Sequence, residues 1–285
     1  MQTQSNDRVI IVTGGGSGLG RAMSIALAQA GAQVVIAEVN QLHADEALAE
    51  ASEKGLAARI KHIRTDVTNS DAADATVAAT LESFGSLFGL VNCAGIGYHE
   101  NGVAVMPPPP FYDLKPEGWR QVIDVNLNGP FFMTRAAVPH MLKAGAGRIV
   151  NVTTSYGTMQ RPRMSPYGQT KAALETATMI WSNDLVGSGV TVNVLIPGGA
   201  ADTRLLPDAP GTGFRAPGNK LVSPTVMQAP ITWLMSDSSS NTTSCRFIGQ
   251  WWDPELPADE MAAKVGRPAG WPIPEGQGGD EGLAD

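Results

Sequence analysis

Residues 8–30, RVIIVTGGGSGLGRAMSIALAQA, decide how the rest of the chain is read. Arg8–Thr13 is a short β-branched run suited to a buried strand. It breaks into the glycines of 14–20 and then into an alanine-rich helical pattern over Arg21–Ala30. A glycine run alone serves backbone conformation. Placed between a strand and a helix, it reads as a nucleotide site. Gly14, Gly18 and Gly20 can supply the tight turn, the close backbone approach and the helix–strand contact, with Ser17 and Leu19 in the same turn. The helix N-terminus then offers unpaired N–H groups to a pyrophosphate.

Working outward, the strand Gln33–Ala37 ends in Glu38, about twenty residues past the glycines. A carboxylate there can accept from the ribose hydroxyls of an adenosine and repels a 2′-phosphate; no Arg or Lys follows in Val39–His43, so NAD is expected over NADP. Gln41–Lys54 is helical, and Arg59–Arg64 alternates like a strand before Asp66 and Val67. Asp66 can accept from an adenine amino group or cap the helix expected over Asn69–Phe84. The strand Leu87–Val91 leads into Asn92-Cys93-Ala94-Gly95, small residues along which a ribose and nicotinamide can lie. Cys93 reads as a buried filler, since no base lies near it in sequence.

The chemistry concentrates in Asn151–Lys171, NVTTSYGTMQRPRMSPYGQTK. On a helix, Tyr167 and Lys171 share a face one turn apart. An ammonium at that distance is expected to draw the phenol down from its ordinary pKa near ~10 toward working range. The strand Gly147–Thr154 would deliver the hydroxyls of Thr153, Thr154 and Ser155 to the same place. Between the two motifs, Ile96–Pro116 is a long loop with four consecutive prolines, and Trp119–Lys143 is a long helix with kinks expected at Pro130 and Pro139. Val190–Ile196 is a further strand ending in the Pro197-Gly198-Gly199 turn. A mobile lid is expected over about 199–222, including Thr203, Leu205, Leu206 and Phe214. A helix over Thr225–Met235 and a last strand within Asn241–Gln250 complete the domain.

The bulk properties bound the partners. The chain has 285 residues, enough for one large α/β domain, with a formal net charge of −7 that disfavours nucleic acid and acidic carrier proteins. No apolar run reaches the ~18–20 residues of a membrane span, and the N-terminus lacks the regions of a signal peptide. Two distant cysteines, Cys93 and Cys245, indicate no disulfide framework, and no metal site is expected. A cytoplasmic location follows. Alternating strands and helices predict an open, mostly parallel, doubly wound sheet of about seven strands with helices on both faces; Glu38, Asp66, Asn92, Thr154 and Pro197 all fall at or just past strand C-termini.

The motifs TGGGSGLG at 13–20, NCAG at 92–95, Asn126 in VNLNG, NVTTS at 151–155, YGQTK at 167–171 and PGG at 197–199 occur in an order that resembles the short-chain dehydrogenase/reductase family over residues 8 to about 250. The resemblance implies a single Rossmann domain with strand order 3-2-1-4-5-6-7, assembled as a homotetramer or homodimer. It implies that Tyr167 is the acid/base, that Lys171 lowers its pKa and holds the nicotinamide ribose, and that Asn126 positions a water joining Lys171 to solvent. The sequence departs from the family in four places. Thr154 stands thirteen residues before the tyrosine, where the family has serine, so Thr154 takes the hydroxyl role with Ser155 in reserve. Cys93 replaces the usual residue in the NCAG motif. The loop between Gly95 and Asn126 is about ten residues longer than usual, and Trp251–Asp285 forms an extension whose Trp251, Trp252 and Trp271 suggest docking on a neighbouring subunit.

The expected activity is the NAD-dependent interconversion of a secondary alcohol and a ketone. Met106, Pro108, Phe111, Met159, Met164, Leu205 and Leu206 are the candidate pocket residues, and their apolar character favours a moderately hydrophobic or cyclic substrate. Arg161 and Arg163 could hold a carboxylate or phosphate, although solvated loop charge is the simpler reading. Two alternatives stand beside this: an NADPH-linked 3-oxoacyl-thioester reductase, and a nucleotide-binding relative without catalysis.

Overall fold

The computed structural model describes residues 8–206 and 220–271. Seven mutually parallel strands form the sheet: β1 (Val9–Thr13), β2 (Gln33–Glu38), β3 (Ile60–Arg64), β4 (Gly89–Asn92), β5 (Gly147–Val152), β6 (Val190–Ile196) and β7 (Cys245–Ile248). Their spatial order is β3-β2-β1-β4-β5-β6-β7, as expected, and an eighth strand, β8 (Arg267–Pro268), adds antiparallel to β7. The order reverses between β1 and β4, which leaves a crevice at their carboxyl ends.

The two-residue period of the strands divides the core. Ile10, Val12, Val34 and Ile36 face one hydrophobic cluster, while Ile11, Val35 and Ala37 face the other. Helices α1 (Gly18–Gln29) and α2 (Gln41–Glu53) cover the first face through Met23, Leu27, Ala47 and Ala51. Helices α3 (Ser70–Phe84) and α5 (Gly129–Ala144) cover the second through Ala73, Val77, Met133 and Met141. With both faces covered, the central strands β1 and β2 need no polar side, which explains the apolar runs Val9–Val12 and Val34–Ala37.

The long helix expected over Trp119–Lys143 is broken. Helix α4 (Pro116–Ile123) passes into a π-helical turn at Asp124–Asn128 before α5 begins. Pro130 falls in the first turn of α5, where its missing N–H has no intrahelical partner to lose, and Pro139 stays within the helix. The expected helix over Thr225–Met235 is likewise divided, into a 3₁₀ turn at Pro224–Met227 and α7 (Gln228–Leu234).

The expected boundary at residue 250 is not a break in the core. Trp252 is buried against Trp233 and Phe247, and helix α8 (Ala258–Val265) adds Met261 and Val265 to the same cluster. Trp252 therefore docks on its own domain, because β7 and α7 would otherwise leave that cluster open to water. Trp271 packs against Tyr156, while Trp251 stays exposed. The expected lid is described only at its two ends, 199–206 and 220–222; Phe214 lies outside the described residues, as do positions 272–285 of the extension.

A buried ion pair fastens this added segment to the rest. Arg246 on β7 contacts Glu175 of α6 (Tyr167–Asp184) at 2.5 Å, and the two side chains are 5% and 0% exposed. Glu175 also accepts from Thr153 Oγ1 at 2.8 Å and from the Gly270 N–H at 3.4 Å. Removing one partner of such a pair leaves an unpaired charge in a dry site, with a loss of about 3–5 kcal/mol. Arg246→Met is thus expected to destabilise the fold by that amount in urea denaturation, and Glu175→Gln combined with Arg246→Met to recover part of it. Simple additivity of the two changes would show that the pair does not act as a unit.

Candidate active site

The strand ends on one rim of the sheet bring the sequence motifs together. At the end of β1, the Thr13 hydroxyl accepts from the N–H groups of Cys93 (3.0 Å) and Ala94 (3.1 Å), fastening the 92–95 loop beside the glycine turn. Gly14 adopts φ +62°, and a Cβ there would lie 2.9 Å from the Ala94 Cα. A Cβ on Gly20 would lie 2.1 Å from the Gly14 carbonyl oxygen, so the first turn of α1 closes directly on the loop. Ser17 is the N-cap of α1, but its side chain makes no capping hydrogen bond, and the turn presents the helix N-terminus to the rim. Leu19 packs partly against the core, and Thr203 closes over Gly18. This close-packed glycine cradle fits a dinucleotide pyrophosphate.

The remaining candidates divide into rim groups and supports. Glu38 ends β2 beside Gly16, buried, with Oε1 accepting from the Asn40 N–H at 3.0 Å. Asp66 is exposed and holds the following turn by accepting from the Thr68 N–H and hydroxyl; the cap of α3 is Asn69. Val67 is buried against Gly129, which puts its side chain beneath the rim. Asn92 also points inward: its amide donates to Asn151 (2.9 Å) and Thr134 (3.0 Å), so only its backbone belongs to the 92–95 loop. Gly95 lies against Lys171 Nζ and Asn126 Oδ1, and Gly198, at φ +101°, turns the chain after Pro197.

Tyr167 opens α6, and the nearby Thr154 hydroxyl acts on its phenol, opposing the effect of burial. Ser155 is occupied elsewhere: it caps the one-turn helix Tyr156–Met159 by accepting from the Thr158 N–H and contacting the Thr158 hydroxyl at 2.8 Å. The alternation of the chain leaving β5 thus separates the two hydroxyls. Arg246 donates to the Thr154 carbonyl at 2.6 Å and stacks over the Tyr156 ring, while the Tyr156 hydroxyl donates to the Gly270 carbonyl at 2.5 Å. The strand end that carries Thr154 is therefore held by β7 and by the extension. These supports had no sequence signal, since Arg246 and Gly270 belong to no local motif.

Lys171 is buried and donates to the Val152 carbonyl at 2.9 Å. Asn126 sits in the π turn, fully buried, with Oδ1 accepting from the Ile96 N–H (2.8 Å) and Nδ2 donating to the Ile96 carbonyl (3.0 Å). Its role in the structure is to clamp the loop after Gly95. The expected depression of the Tyr167 pKa is reversed: burial pushes the phenol up to about 12, with the Thr154 hydroxyl opposing. Burial also brings Lys171 down to about 8, and its ammonium is aimed at Val152, 5.8 Å from the Tyr167 ring centre. Desolvation outweighs the attraction expected from sequence spacing. Cys93 is likewise pushed up to about 12 by burial, consistent with an inert filler.

Of the candidate pocket residues, Met106, Pro108 and Met164 line one cavity of about 520 Å³, together with Pro107, Arg161, Pro162, Arg163, Ala200, Lys220 and Leu221. Met159 packs instead under Gly168, Phe111 belongs to a shallow surface groove, and Leu205 and Leu206 do not line the cavity. Among the described residues no group of His, Cys, Asp and Glu could hold a metal ion, and no helix is long and apolar enough to cross a membrane.

A doubly wound sheet with a dinucleotide cradle and a Thr–Tyr–Lys set on its carboxyl rim defines a nucleotide-dependent oxidoreductase. The short chain dehydrogenase profile matches residues 8–210, and the chain belongs to that family, whose enzymes act on CH–OH groups with a nicotinamide cofactor. It is 34% identical to a cis-4-hydroxycyclohexanecarboxylate dehydrogenase of Sinomonas cyclohexanicum, over 82% of this chain and 91% of that protein. It is 32% identical to a 3-oxoacyl-acyl-carrier-protein reductase of Thermotoga maritima, over 83% and 93% respectively. Among solved structures it resembles an NADH-complexed 3-ketoacyl-acyl-carrier-protein reductase of Brucella melitensis, with TM-score 0.73 and 28% identity over 84% of this chain and 95% of that one.

Two predictions follow from the geometry. Thr154→Val is expected to lower turnover by at least ~10²-fold, whereas Ser155→Ala loses about 1 kcal/mol of stability as a cap change and keeps most turnover. The reverse pattern in steady-state kinetics would transfer the role to Ser155. The second concerns pH. Folded Lys171 titrates near 8 and the free side chain near 10.5, so between these values the folded chain binds fewer protons and stability rises with pH. Below pH 8 the cost of the buried ammonium is present in full. Tyr167 has the opposite sign, with stability falling as pH rises from 10 through 12. Denaturant midpoints of Lys171→Met should lack the rise between pH 8 and 10; an unchanged rise would assign it to another group.

Proposed function

We propose that the protein interconverts a secondary alcohol and its ketone with NAD, on a small to medium, moderately hydrophobic or cyclic substrate. The observation that carries this reading is the Thr154 hydroxyl beside the Tyr167 phenol, with Lys171 one helical turn further on. When bound, the nicotinamide exchanges a hydride with the carbinol carbon. Thr154 holds the substrate oxygen, and Tyr167 exchanges the proton at its phenolic oxygen. With its pKa raised, Tyr167 stands protonated at neutral pH and is ready to donate to a ketone oxygen. In the oxidising direction it must ionise, and the nearby Thr154 hydroxyl favours the phenolate. Gly14, Gly18 and Gly20 would hold the pyrophosphate, the 92–95 and 197–198 backbones the ribose and nicotinamide, and Glu38 the adenosine ribose.

Glu38 supports NAD over NADP, since a 2′-phosphate beside it would meet a carboxylate and Gly15–Leu19 carry no base to offset it. The Sinomonas relative supports a cyclic substrate. The Thermotoga relative favours a second reading, reduction of a 3-oxoacyl thioester, which a preference for NADPH and a thioester would establish. Exposed Phe131, Leu142 and Ile180 on α5 and α6 are consistent with a homodimer or homotetramer, and the two unpaired cysteines with a cytoplasmic location.

Steady-state assay against a panel of cyclic secondary alcohols tests the proposal. NAD should be preferred to NADP in kcat/KM, and Tyr167→Phe should lose roughly 10²–10⁴-fold. A Tyr167→Phe enzyme that keeps most of its NAD-linked turnover would overturn the assignment.

A further inference from the structure

The 520 Å³ cavity carries a charge pattern that proton and hydride transfer leave unused. Among the described residues its wall comprises Met106, Pro107 and Pro108 from the long loop, Arg161–Met164 from the turn before α6, and Ala200, Lys220 and Leu221 from either side of residues 207–219. Three of these are cations and none is an acid, in a chain whose formal net charge is −7. The turn is built into the active site. The Met164 N–H donates to the Arg161 carbonyl at 3.2 Å, and the Met164 carbonyl accepts from Gly168, the residue after Tyr167, at 2.6 Å. On the opposite wall, the Val222 N–H donates to the Ala200 carbonyl at 2.8 Å, which brings Lys220 back to the end of β6. Arg163 adopts φ +64°, a left-handed conformation uncommon for a residue with a side chain and retained mainly where surroundings impose it.

We infer that this cavity is an anionic subsite of the substrate pocket, so that the substrate is a secondary alcohol or ketone carrying a carboxylate, held by Arg163 and Lys220 while its hydrocarbon body lies on Met106, Pro108 and Met164. The inference rests on the oxidoreductase reading and narrows its substrate class. A cavity of this size suits a small molecule, for which about 300–1,000 Å³ is usual. Apolar walls with a few convergent polar groups are also what a small hydroxy acid needs. A guanidinium matches a carboxylate in two parallel hydrogen bonds, whereas the lysine adds a point charge. An acidic carrier protein would instead call for cations spread over an open face, and the overall negative charge opposes its approach.

The test measures binding and turnover on the full chain with NAD present. Calorimetry with cyclohexanecarboxylate and with its neutral carboxamide reports the subsite without any chemistry. The acid should bind at least ~10-fold more tightly than the amide, and Arg163→Gln with Lys220→Gln should erase that advantage while leaving amide binding unchanged. In turnover, cis-4-hydroxycyclohexanecarboxylate should lose about 10- to 100-fold in kcat/KM in the double variant, chiefly through KM, with cyclohexanol unaffected. Equal affinity for acid and amide, or an acid preference that survives both substitutions, would refute the subsite. So would a preference for a carrier-bound thioester that the same substitutions abolish. Acid-selective binding without NAD-linked turnover of any alcohol would retain the subsite and count against the oxidoreductase reading, so the two failures are distinguishable.

Discussion

The ion pair between Arg246 and Glu175 is the interaction on which the reacting end of the sheet depends. Glu175 belongs to the helix that begins at Tyr167, and Arg246 to the strand that lies beyond β6. Between them they hold the Thr153 hydroxyl, the Thr154 carbonyl and the Gly270 N–H. A charge pair in a dry interior contributes little net stability, because desolvation offsets most of the attraction. What it does supply is geometry: planar guanidinium and carboxylate groups accept few arrangements. The strand end carrying Thr154 and the helix carrying Tyr167 are thereby set against each other. The extension past residue 250 takes part in that arrangement through Gly270 and Tyr156, and so belongs to the machinery of the fold.

The same dryness explains why Tyr167 and Lys171 titrate away from their ordinary values in directions that both favour the neutral form. One turn of helix suggests a phenolate–ammonium couple, but spacing says nothing of how much water remains. In the folded chain the ammonium lies on the Val152 carbonyl, and the phenol is desolvated near the Thr154 hydroxyl. The pair is held apart and desolvated, so its charge state responds strongly to any charge brought beside it.

Much of the fold was legible because it is periodic. The runs Val9–Thr13 and Gln33–Glu38 are buried on both faces, and the apolar stretches Val9–Val12 and Val34–Ala37 mark them as parallel strands at once. The glycine turn and the Tyr-x3-Lys helix were legible because each is local. The π turn at Asp124–Asn128 was not, since nothing in DVNLN distinguishes one extra residue per turn from an ordinary helix. The inward direction of Asn92 escaped for a related reason: its partners, Thr134 and Asn151, are 42 and 59 residues away. The spacing of thirteen residues before Tyr167 selects Thr154 over Ser155, and the capping of Tyr156–Met159 shows where the Ser155 hydroxyl is engaged.

The substrate wall belongs to the least legible class, because it is assembled from aperiodic loops that meet only when the sheet has ordered its strand ends. Its chemistry is nonetheless sharply divided along the rim. Glu38 stands at the end of β2, on one side of the crevice between β1 and β4, while Arg161, Arg163 and Lys220 stand on the other, near the end of β6. Between them lie β1, β4 and β5, and adjacent strands are spaced by about 4.8 Å. Four such gaps, about 19 Å, lie far beyond the ~4 Å of an ion pair. The carboxylate at the cofactor end and the cations at the substrate end therefore do not neutralise each other. On the proposed reading each would select its own ligand, so cofactor preference and substrate charge would change independently of Thr154, Tyr167 and Lys171.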